Sequence, residues 1–140
     1  AFTLISASLD PRIAAAAPAV PFLGDYRHYS QIVWWPVWEV FETADSQGID
    51  REDLFRMLSY FDVKNFTDRI FCPVYMAFGL QDPTCPPHTN FAEYNLISGP
   101  KQYFCAPACG HAMWRERDWQ ILRNEWFGNK LQHKYQPITN

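Results

Sequence analysis

Residues 73–82 read Pro-Val-Tyr-Met-Ala-Phe-Gly-Leu-Gln-Asp, and they contain the clearest strand signal of the chain. Its apolar run stops at a glycine and a proline-rich loop follows, which is the pattern of a strand buried on both faces of a parallel sheet. Two further short apolar stretches, 13–20 and 101–106, are also predicted strands. Segments with helical spacing separate the three. The sequence therefore predicts an α/β fold with about three parallel strands and flanking helices.

Helices are predicted around these strands from apolar spacing and capping residues. The opening segment, 1–9, ends at Asp10-Pro11 because the residue before a proline is disfavoured in the α region. The aromatic segment 26–44 is helical with an interruption at Pro36. The remaining predictions are a helix after an Asp50 cap, a short helical connector over 62–70, a helix from a Thr89 cap to about 97, and a last helix from about 115 to 127.

The chain begins within such a helix. Residues 1–9 have no initiator methionine, no charged leader and no N-cap residue in front of them. We therefore expect a fragment whose upstream part is missing, and a processed N-terminus is the alternative.

Composition limits the classes of function. Of 140 residues, 48% are hydrophobic and 17% are aromatic, which supports a sizeable core and excludes intrinsic disorder. No apolar run reaches the roughly 18 residues that a membrane helix needs. The net charge is −3 and no basic cluster occurs, so neither a nucleic acid nor a membrane is expected as a partner.

Asp82 and His111 are the main candidates for chemistry. Each follows a predicted strand, so in a parallel sheet their loops lie side by side at the carboxyl end, where such folds place their sites. An aspartate there accepts the Nδ1 proton of a histidine and makes the imidazole a general base. The alternative is that both are ordinary loop residues. The other histidines, His28, His88 and His133, have no such partner and are expected to be structural or exposed.

A nucleophile for this pair is missing. No Gly-x-Ser-x-Gly elbow occurs among the 140 residues. The candidates lack the flanking glycines of an elbow and are interpreted as ordinary helix or loop residues: Ser6, Ser8, Ser30, Ser59 and Ser98. The chain alone is therefore not expected to be a complete serine hydrolase.

The four cysteines allow other functions. Cys105, Cys109 and His111 form a C-x3-C-x-H pattern to which Cys72 and Cys85 could add ligands, but the paired spacings of a closed zinc site are absent. A disulfide from Cys109 to Cys105 or to Cys85 is a second possibility. Cys72 lies beside a strand and is better interpreted as a core residue. A nucleophilic Cys85 or Cys109 beside His111 is the weaker hypothesis, since no pattern marks either thiol as activated.

The segment 34–38, Trp-Trp-Pro-Val-Trp, is a candidate surface for stacking on sugar rings. Aromatic clusters of this kind more often belong to a core or to a subunit contact, and we favour that interpretation.

Several segments resemble one known family. They are residues 58–66 (Leu-Ser-Tyr-Phe-Asp-Val-Lys-Asn-Phe), 79–87 (Gly-Leu-Gln-Asp-Pro-Thr-Cys-Pro-Pro), 20–27 (Val-Pro-Phe-Leu-Gly-Asp-Tyr-Arg), 94–95 (Tyr-Asn) and 99–101 (Gly-Pro-Lys). In this order they are similar to signatures of the acetyl xylan esterase and cephalosporin-C deacetylase family, carbohydrate esterase family 7. The tryptophan-rich segment matches the family poorly, so substrate preference is the least transferable property.

The resemblance implies an α/β-hydrolase fold whose catalytic serine, aspartate and histidine follow one another along the chain. Asp82 would then be the triad acid, His111 the triad base, and the serine would lie a few residues before Ala1. Residues 1–128 would be the C-terminal part of a single domain that lacks the nucleophile half, and 129–140 a polar tail.

The implied function is removal of acetyl groups from acetylated xylan, xylo-oligosaccharides or related small acetyl esters, through an acyl-enzyme and without a cofactor or a metal. A homo-oligomer, or association with the missing N-terminal half, is also expected. The competing hypothesis is a non-catalytic carbohydrate- or subunit-binding module derived from a hydrolase. A zinc-stabilised structural domain is the third.

Overall fold

The computed structural model describes residues 1–132, in which helices surround a small parallel sheet. Strand β1 (Val74–Gly79) pairs with β2 (Lys101–Ala106) along its whole length. The α-helices, in chain order, are α1 (Phe2–Leu9), α2 (Tyr26–Ile32), α3 (Val37–Ser46), α4 (Arg51–Leu58), α5 (Pro87–Leu96) and α6 (Arg117–Gln132). Two 3-10 helices, Val63–Arg69 and His111–Arg115, complete the described elements.

The expected third strand over 13–20 is reduced to two isolated bridges on the other side of β1. Ala16 pairs with Val74 and Ala19 with Ala77, both in the parallel sense. Pro18 lies between the two bridges and has no N–H to donate, so a continuous ladder cannot form there. β1 is nevertheless central, because it has a neighbour on each side and all six of its residues are buried.

Helices cover both faces of β1, as the alternation of elements predicted. On one face, Val74, Met76 and Phe78 pack with Leu4 of α1 and Ile97 after α5. On the other, two residues of β1 pack with two tryptophans of α6, a group made of Tyr75, Ala77, Trp119 and Trp126. Side chains of a strand point alternately to opposite faces, which is why adjacent residues of β1 join different clusters.

Proline and capping residues correctly predicted most of the helix ends. Helix α1 ends before the extended residue Asp10, helical structure is interrupted around Pro36, and the Asp50 carboxylate accepts from the Glu52 backbone N–H at 2.8 Å. The Thr89 cap was wrong: α5 begins at Pro87, and the Thr89 hydroxyl donates to the Pro86 carbonyl. Proline suits the first helical position because its φ is already helical, and the N-cap is Pro86, three residues before the predicted Thr89.

Helix α6 extends beyond its predicted end at about residue 127 and continues to Gln132. Residues 129–132 therefore belong to a helix rather than to the predicted polar tail. The rest of that tail, 133–140, lies outside the described residues, and His133 with it. Of the helices in the described part, none is both long and apolar enough to cross a membrane.

Candidate active site

Two loops at the carboxyl ends of the paired strands bring Asp82 and His111 together. Asp82 lies three positions after the end of β1, and His111 opens the 3-10 helix that follows β2. The distance between Asp82 Oδ2 and His111 Nδ1 is 3.1 Å. This places the two candidate site residues at the edge where parallel sheets carry their chemistry.

The carboxylate of Asp82 is held in one orientation by its own loop. Its side chain is fully buried, and Oδ1 accepts from the backbone N–H groups of Thr84 and Cys85, each at 2.8 Å. These two bonds compensate the burial of a charge, because a carboxylate without donors is costly to bury. They also leave Oδ2 to face the imidazole.

The imidazole of His111 is partly exposed to solvent, unlike the buried carboxylate of Asp82. Its side chain is 47% exposed, and its Nε2 has no hydrogen-bond partner among residues 1–132. With a carboxylate at Nδ1, the favoured neutral tautomer carries its proton on Nδ1 and a lone pair on Nε2. In this arrangement the imidazole can accept a proton at Nε2, which is open to solvent.

Gly79 allows the two loops to approach each other. A Cβ at this position would overlap the Cys109 carbonyl oxygen and would lie 2.9 Å from the Gly110 oxygen. The turn after β2 instead lies against the end of β1, where the Gln81 backbone N–H donates to the Cys109 carbonyl at 3.0 Å. Sequence reasoning gave Gly79 no role, although a glycine at the end of a buried strand is a signal of close backbone approach.

Tyr29 joins the tryptophan-rich segment to the Asp82 loop. Its buried hydroxyl lies 3.0 Å from the carbonyl oxygens of both Trp35 and Thr84, and its one proton is shared between these two acceptors. The rings of Trp34 and Trp35 are 67% and 56% exposed, and Trp35 stacks on Phe22. These two tryptophans are thus surface residues rather than core, and the sugar-binding and subunit-contact interpretations both remain.

Cys85, Cys105 and Cys109 are unbridged, and the pKa of each of these three thiols is raised rather than lowered. Burial, with the charges of Asp82 and Glu93, raises the pKa of the Cys85 thiol to about 12. A hydrogen bond to Glu116 raises the pKa of the Cys109 thiol. A nucleophilic cysteine needs a lowered pKa, so neither thiol fits that role. The remaining cysteine, Cys72, packs half-buried against the core.

The hydroxyls of five serines donate to backbone carbonyls outside the Asp82–His111 pair. Four of them donate to the carbonyl three residues earlier, namely Ser8, Ser30, Ser46 and Ser59, and Ser98 donates to Asp68 of the 3-10 helix Val63–Arg69. Ser6 is exposed on α1. No serine in the described residues is hydrogen-bonded to His111.

A second polar cluster connects two of the segments that carry the family resemblance. Asp62 accepts from the backbone N–H groups of Asp25 and Tyr26 at 2.8 and 2.9 Å. Asp25 in turn pairs with Lys64 at 2.5 Å and with His28 Nδ1 at 2.8 Å. Asp25 has a left-handed φ of 54°, a conformation that aspartate tolerates better than most residues. These residues fix the start of α2 against the 3-10 helix, so they act structurally.

Glu93 of α5 is a buried carboxyl group without a partner. Its side chain is fully buried, and neither carboxyl oxygen is hydrogen-bonded within the described residues. Burial raises the pKa of Glu93 to about 8, opposed by the Ala1 amino group and reinforced by Asp62 and Asp25. Gly24 supplies the space, since a Cβ there would overlap Glu93 Oε1. The group is therefore mainly protonated at neutral pH.

Glu93→Gln is expected to remove a pH dependence of stability. The native pKa of Glu93 is about 8, whereas its ordinary value is 4.5. The native state therefore binds more protons than the unfolded state between these two values. The contribution of Glu93 to the free energy of unfolding is fully present below pH 4.5 and is lost as the pH rises to about 8. One pKa unit corresponds to about 1.4 kcal/mol, so the free energy of unfolding should fall by several kcal/mol over this range. Urea unfolding at several pH values measures this slope, which the glutamine should flatten.

The matched control for this prediction is Glu125→Gln, which changes an exposed carboxyl group on α6. It should keep the slope of the wild-type protein. Equal slopes in the two variants would contradict the assignment of the pH dependence to Glu93.

Comparison with known proteins places this chain in a family. The family model described as acetyl xylan esterase (AXE1) matches residues 1–122. The chain belongs to the acetyl xylan esterase family. Among curated members of similar sequence, acetyl esterase Axe7A of Xylanibacter ruminicola is 30% identical over 122 residues, which are 79% of this chain and 25% of that protein.

Solved acetyl xylan esterases have the same architecture. The enzyme from Paenibacillus sp. R4 is 34% identical with a TM-score of 0.79, over 90% of this chain and 40% of that one. Acetyl xylan esterase 1 from Thermoanaerobacterium sp. JW/SL YS485 is 32% identical with a TM-score of 0.76, over 87% and 39%. The α/β hydrolase GrgF from Penicillium sp. sh18, at 18% identity and a TM-score of 0.60, shares the fold. The chain is thus part of an α/β-hydrolase fold.

The chain spans only part of its acetyl xylan esterase relatives, from 25% of the curated protein to 40% of the Paenibacillus enzyme. The matched part carries the sheet edge with Asp82 and His111 described above.

Proposed function

We propose that the whole protein is a serine carboxylesterase that removes acetyl groups from acetylated xylan, xylo-oligosaccharides or related small acetyl esters. Membership of the acetyl xylan esterase family supports the reaction class. The observation that carries the proposal is the 3.1 Å contact of Asp82 Oδ2 with His111 Nδ1, with the far side of the imidazole open.

The proposed mechanism assigns one role to each group. His111 Nε2 takes the proton of a serine as that serine attacks the acetyl carbonyl carbon, and Asp82 stabilises the imidazolium that forms. His111 then returns the proton to the leaving sugar oxygen, which leaves an acetylated serine. A water molecule, deprotonated by the same imidazole, attacks this ester. The imidazole then returns that proton to the serine oxygen as acetate is released, which restores both groups. The buried carboxylate of Asp82 needs no proton of its own in either step.

In this proposal the serine precedes Ala1 in the whole protein. Ala1 and Phe91 of α5 both pack against the core cluster that contains Phe78 of β1. The start of α1 therefore lies near the strand that leads to Asp82 and the helix that follows it. A serine a few residues before Ala1 would be in the same region as His111, which supports this position for the nucleophile.

A serine-reactive fluorophosphonate tests the proposal on the whole protein. We expect a single label, located by peptide mapping on a serine upstream of Ala1, and no label on the heat-denatured control. A label on one of the serines of the 140 residues would contradict the proposed position. Release of acetate from acetylated xylan by protein that never reacts with the probe would overturn the serine mechanism.

The second candidate is a carbohydrate- or subunit-binding module without chemistry. The exposed rings of Trp34 and Trp35 favour it, because exposed aromatic rings stack on sugars and also anchor protein interfaces. Binding of xylo-oligosaccharides by the whole protein, without release of acetate from their acetylated forms, would support this candidate against the esterase.

A further inference from the structure

Cys85 brings a third ligating group to the Asp82–His111 pair. A carboxylate oxygen of Asp82, the thiol sulfur of Cys85 and one imidazole nitrogen of His111 all lie within 4.8 Å of one another. The Cys85 side chain is fully buried, and its backbone N–H is one of the donors to Asp82. The proposed mechanism gives this thiol no role, and it was not grouped with Asp82 in the sequence analysis.

The spacing of these atoms is close to that of a tetrahedral metal site. Zinc binds sulfur at about 2.3 Å and nitrogen or oxygen at about 2.0–2.2 Å, so neighbouring ligand atoms lie about 3.3–3.6 Å apart. The Asp82 oxygen and His111 nitrogen are already 3.1 Å apart. Because all three atoms lie within 4.8 Å of one another, the thiol would have to approach by no more than about 1 Å to reach this spacing.

The donor set selects a particular class of cation. A thiolate and an imidazole prefer borderline or soft ions such as Zn²⁺ and Cd²⁺, whereas Mg²⁺ and Ca²⁺ prefer sets made of oxygen. Three protein ligands leave a fourth position open, and the 47% exposure of the His111 side chain provides a route from solvent. Coordination by Cys85 releases its thiol proton to solvent.

We propose that Asp82, Cys85 and His111 form a binding site for a thiophilic divalent cation, Zn²⁺ or Cd²⁺, and that the bound cation blocks the esterase. The second part rests on the proposed function. Asp82 faces Nδ1 of His111, so a cation held by both residues uses the Nδ1 lone pair and the ring proton moves to Nε2. Nε2 then has no lone pair with which to accept the proton of the serine, and the base is removed from the reaction.

Binding is tested with the metal alone, without a substrate. Cd²⁺ titrated into the protein should produce the ultraviolet charge-transfer band of a cadmium–thiolate bond, and Zn²⁺ should compete for the same site. Loss of an outer-shell partner costs about 10- to 100-fold in metal affinity, so Cys85→Ser and His111→Ala should each weaken binding at least about tenfold. His111 is the more exposed residue, and its variant tests the site even if the buried Cys85→Ser protein fails to fold.

Two other cysteines provide matched controls. Cys105→Ser and Cys109→Ser should keep the affinity of the wild-type protein, because neither thiol is within the cluster. Absence of the band in the wild-type protein, or an equal affinity after loss of Cys85 or His111, would overturn the site. Loss of the band in Cys109→Ser would instead assign the metal to the C-x3-C-x-H pattern.

Inhibition is measured separately on the whole protein. Zn²⁺ should suppress release of acetate in the wild-type enzyme and should act at least about tenfold more weakly on Cys85→Ser. If the metal binds but the metal-free protein releases no acetate, the proposed function fails while the site stands. If the protein is an active esterase and no metal binds, only the metal site fails.

Discussion

Replacement of His111 by alanine should lower the turnover of an acetyl ester by the whole protein by about four to six powers of ten. The imidazole is the general base of the proposed mechanism, with Nδ1 held 3.1 Å from Asp82 and Nε2 open. Without it, the serine would have to lose its proton to water, and the leaving sugar oxygen would have to depart without an acid. Binding of the substrate should change much less, so the loss should lie in kcat.

The measurement is the rate of acetate release from an acetylated xylo-oligosaccharide, with circular dichroism to establish that the variant is folded. The matched control is His88→Ala, since His88 is an exposed histidine of α5 without a recorded partner in the described residues. It should retain activity within a few-fold of the wild type. Activity of the His111 variant near that of the control would rule out the role we assign to His111.

Asp82→Asn should cost about four powers of ten in kcat. To keep the two bonds from Thr84 and Cys85 on its oxygen, the new amide must present its NH2 group to His111. An NH2 donor facing Nδ1 forces the ring proton onto Nε2, which removes the lone pair that accepts the proton of the serine. The charge that stabilises the imidazolium is lost as well.

Steady-state kinetics and unfolding together separate this tautomer effect from a general loss of structure. The asparagine preserves the shape of the buried side chain and its two backbone bonds, so the midpoint of unfolding should change little compared with kcat. Asp68→Asn changes an exposed carboxylate in the 3-10 helix before β1 and is the matched control. Turnover of the Asp82 variant within tenfold of that control would contradict the proposed pairing.

Local patterns in the sequence predicted most of the fold. The strands 74–79 and 101–106, the end of α1 at Asp10 and the Asp50 cap each depend on residues adjacent in the chain. The predictions that differed also have local reasons, since Pro87 starts α5 earlier than Thr89 would. The reduced pairing of 13–20 depends on a proline in the middle of the segment.

Residues that act through distant contacts could not be predicted in this way. Tyr29 contacts Thr84, which is 55 positions away, and Asp62 binds backbone that lies 36 and 37 positions earlier. The buried Glu93 depends on space left by Gly24. No periodicity or spacing encodes such pairs, because each partner is an ordinary residue in its own segment.

That Asp82 and His111 follow two strands of one parallel sheet is predictable from the sequence, because strand and loop patterns are properties of neighbouring residues. The approach of Oδ2 and Nδ1 to 3.1 Å, and the position of Cys85 beside them, follow from the folding of the chain. That distance depends on how closely the backbone after β2 packs against the end of β1. The close approach is possible because Gly79 has no Cβ. Packing is a property of the whole core, and for this reason it appears only when the chain is folded.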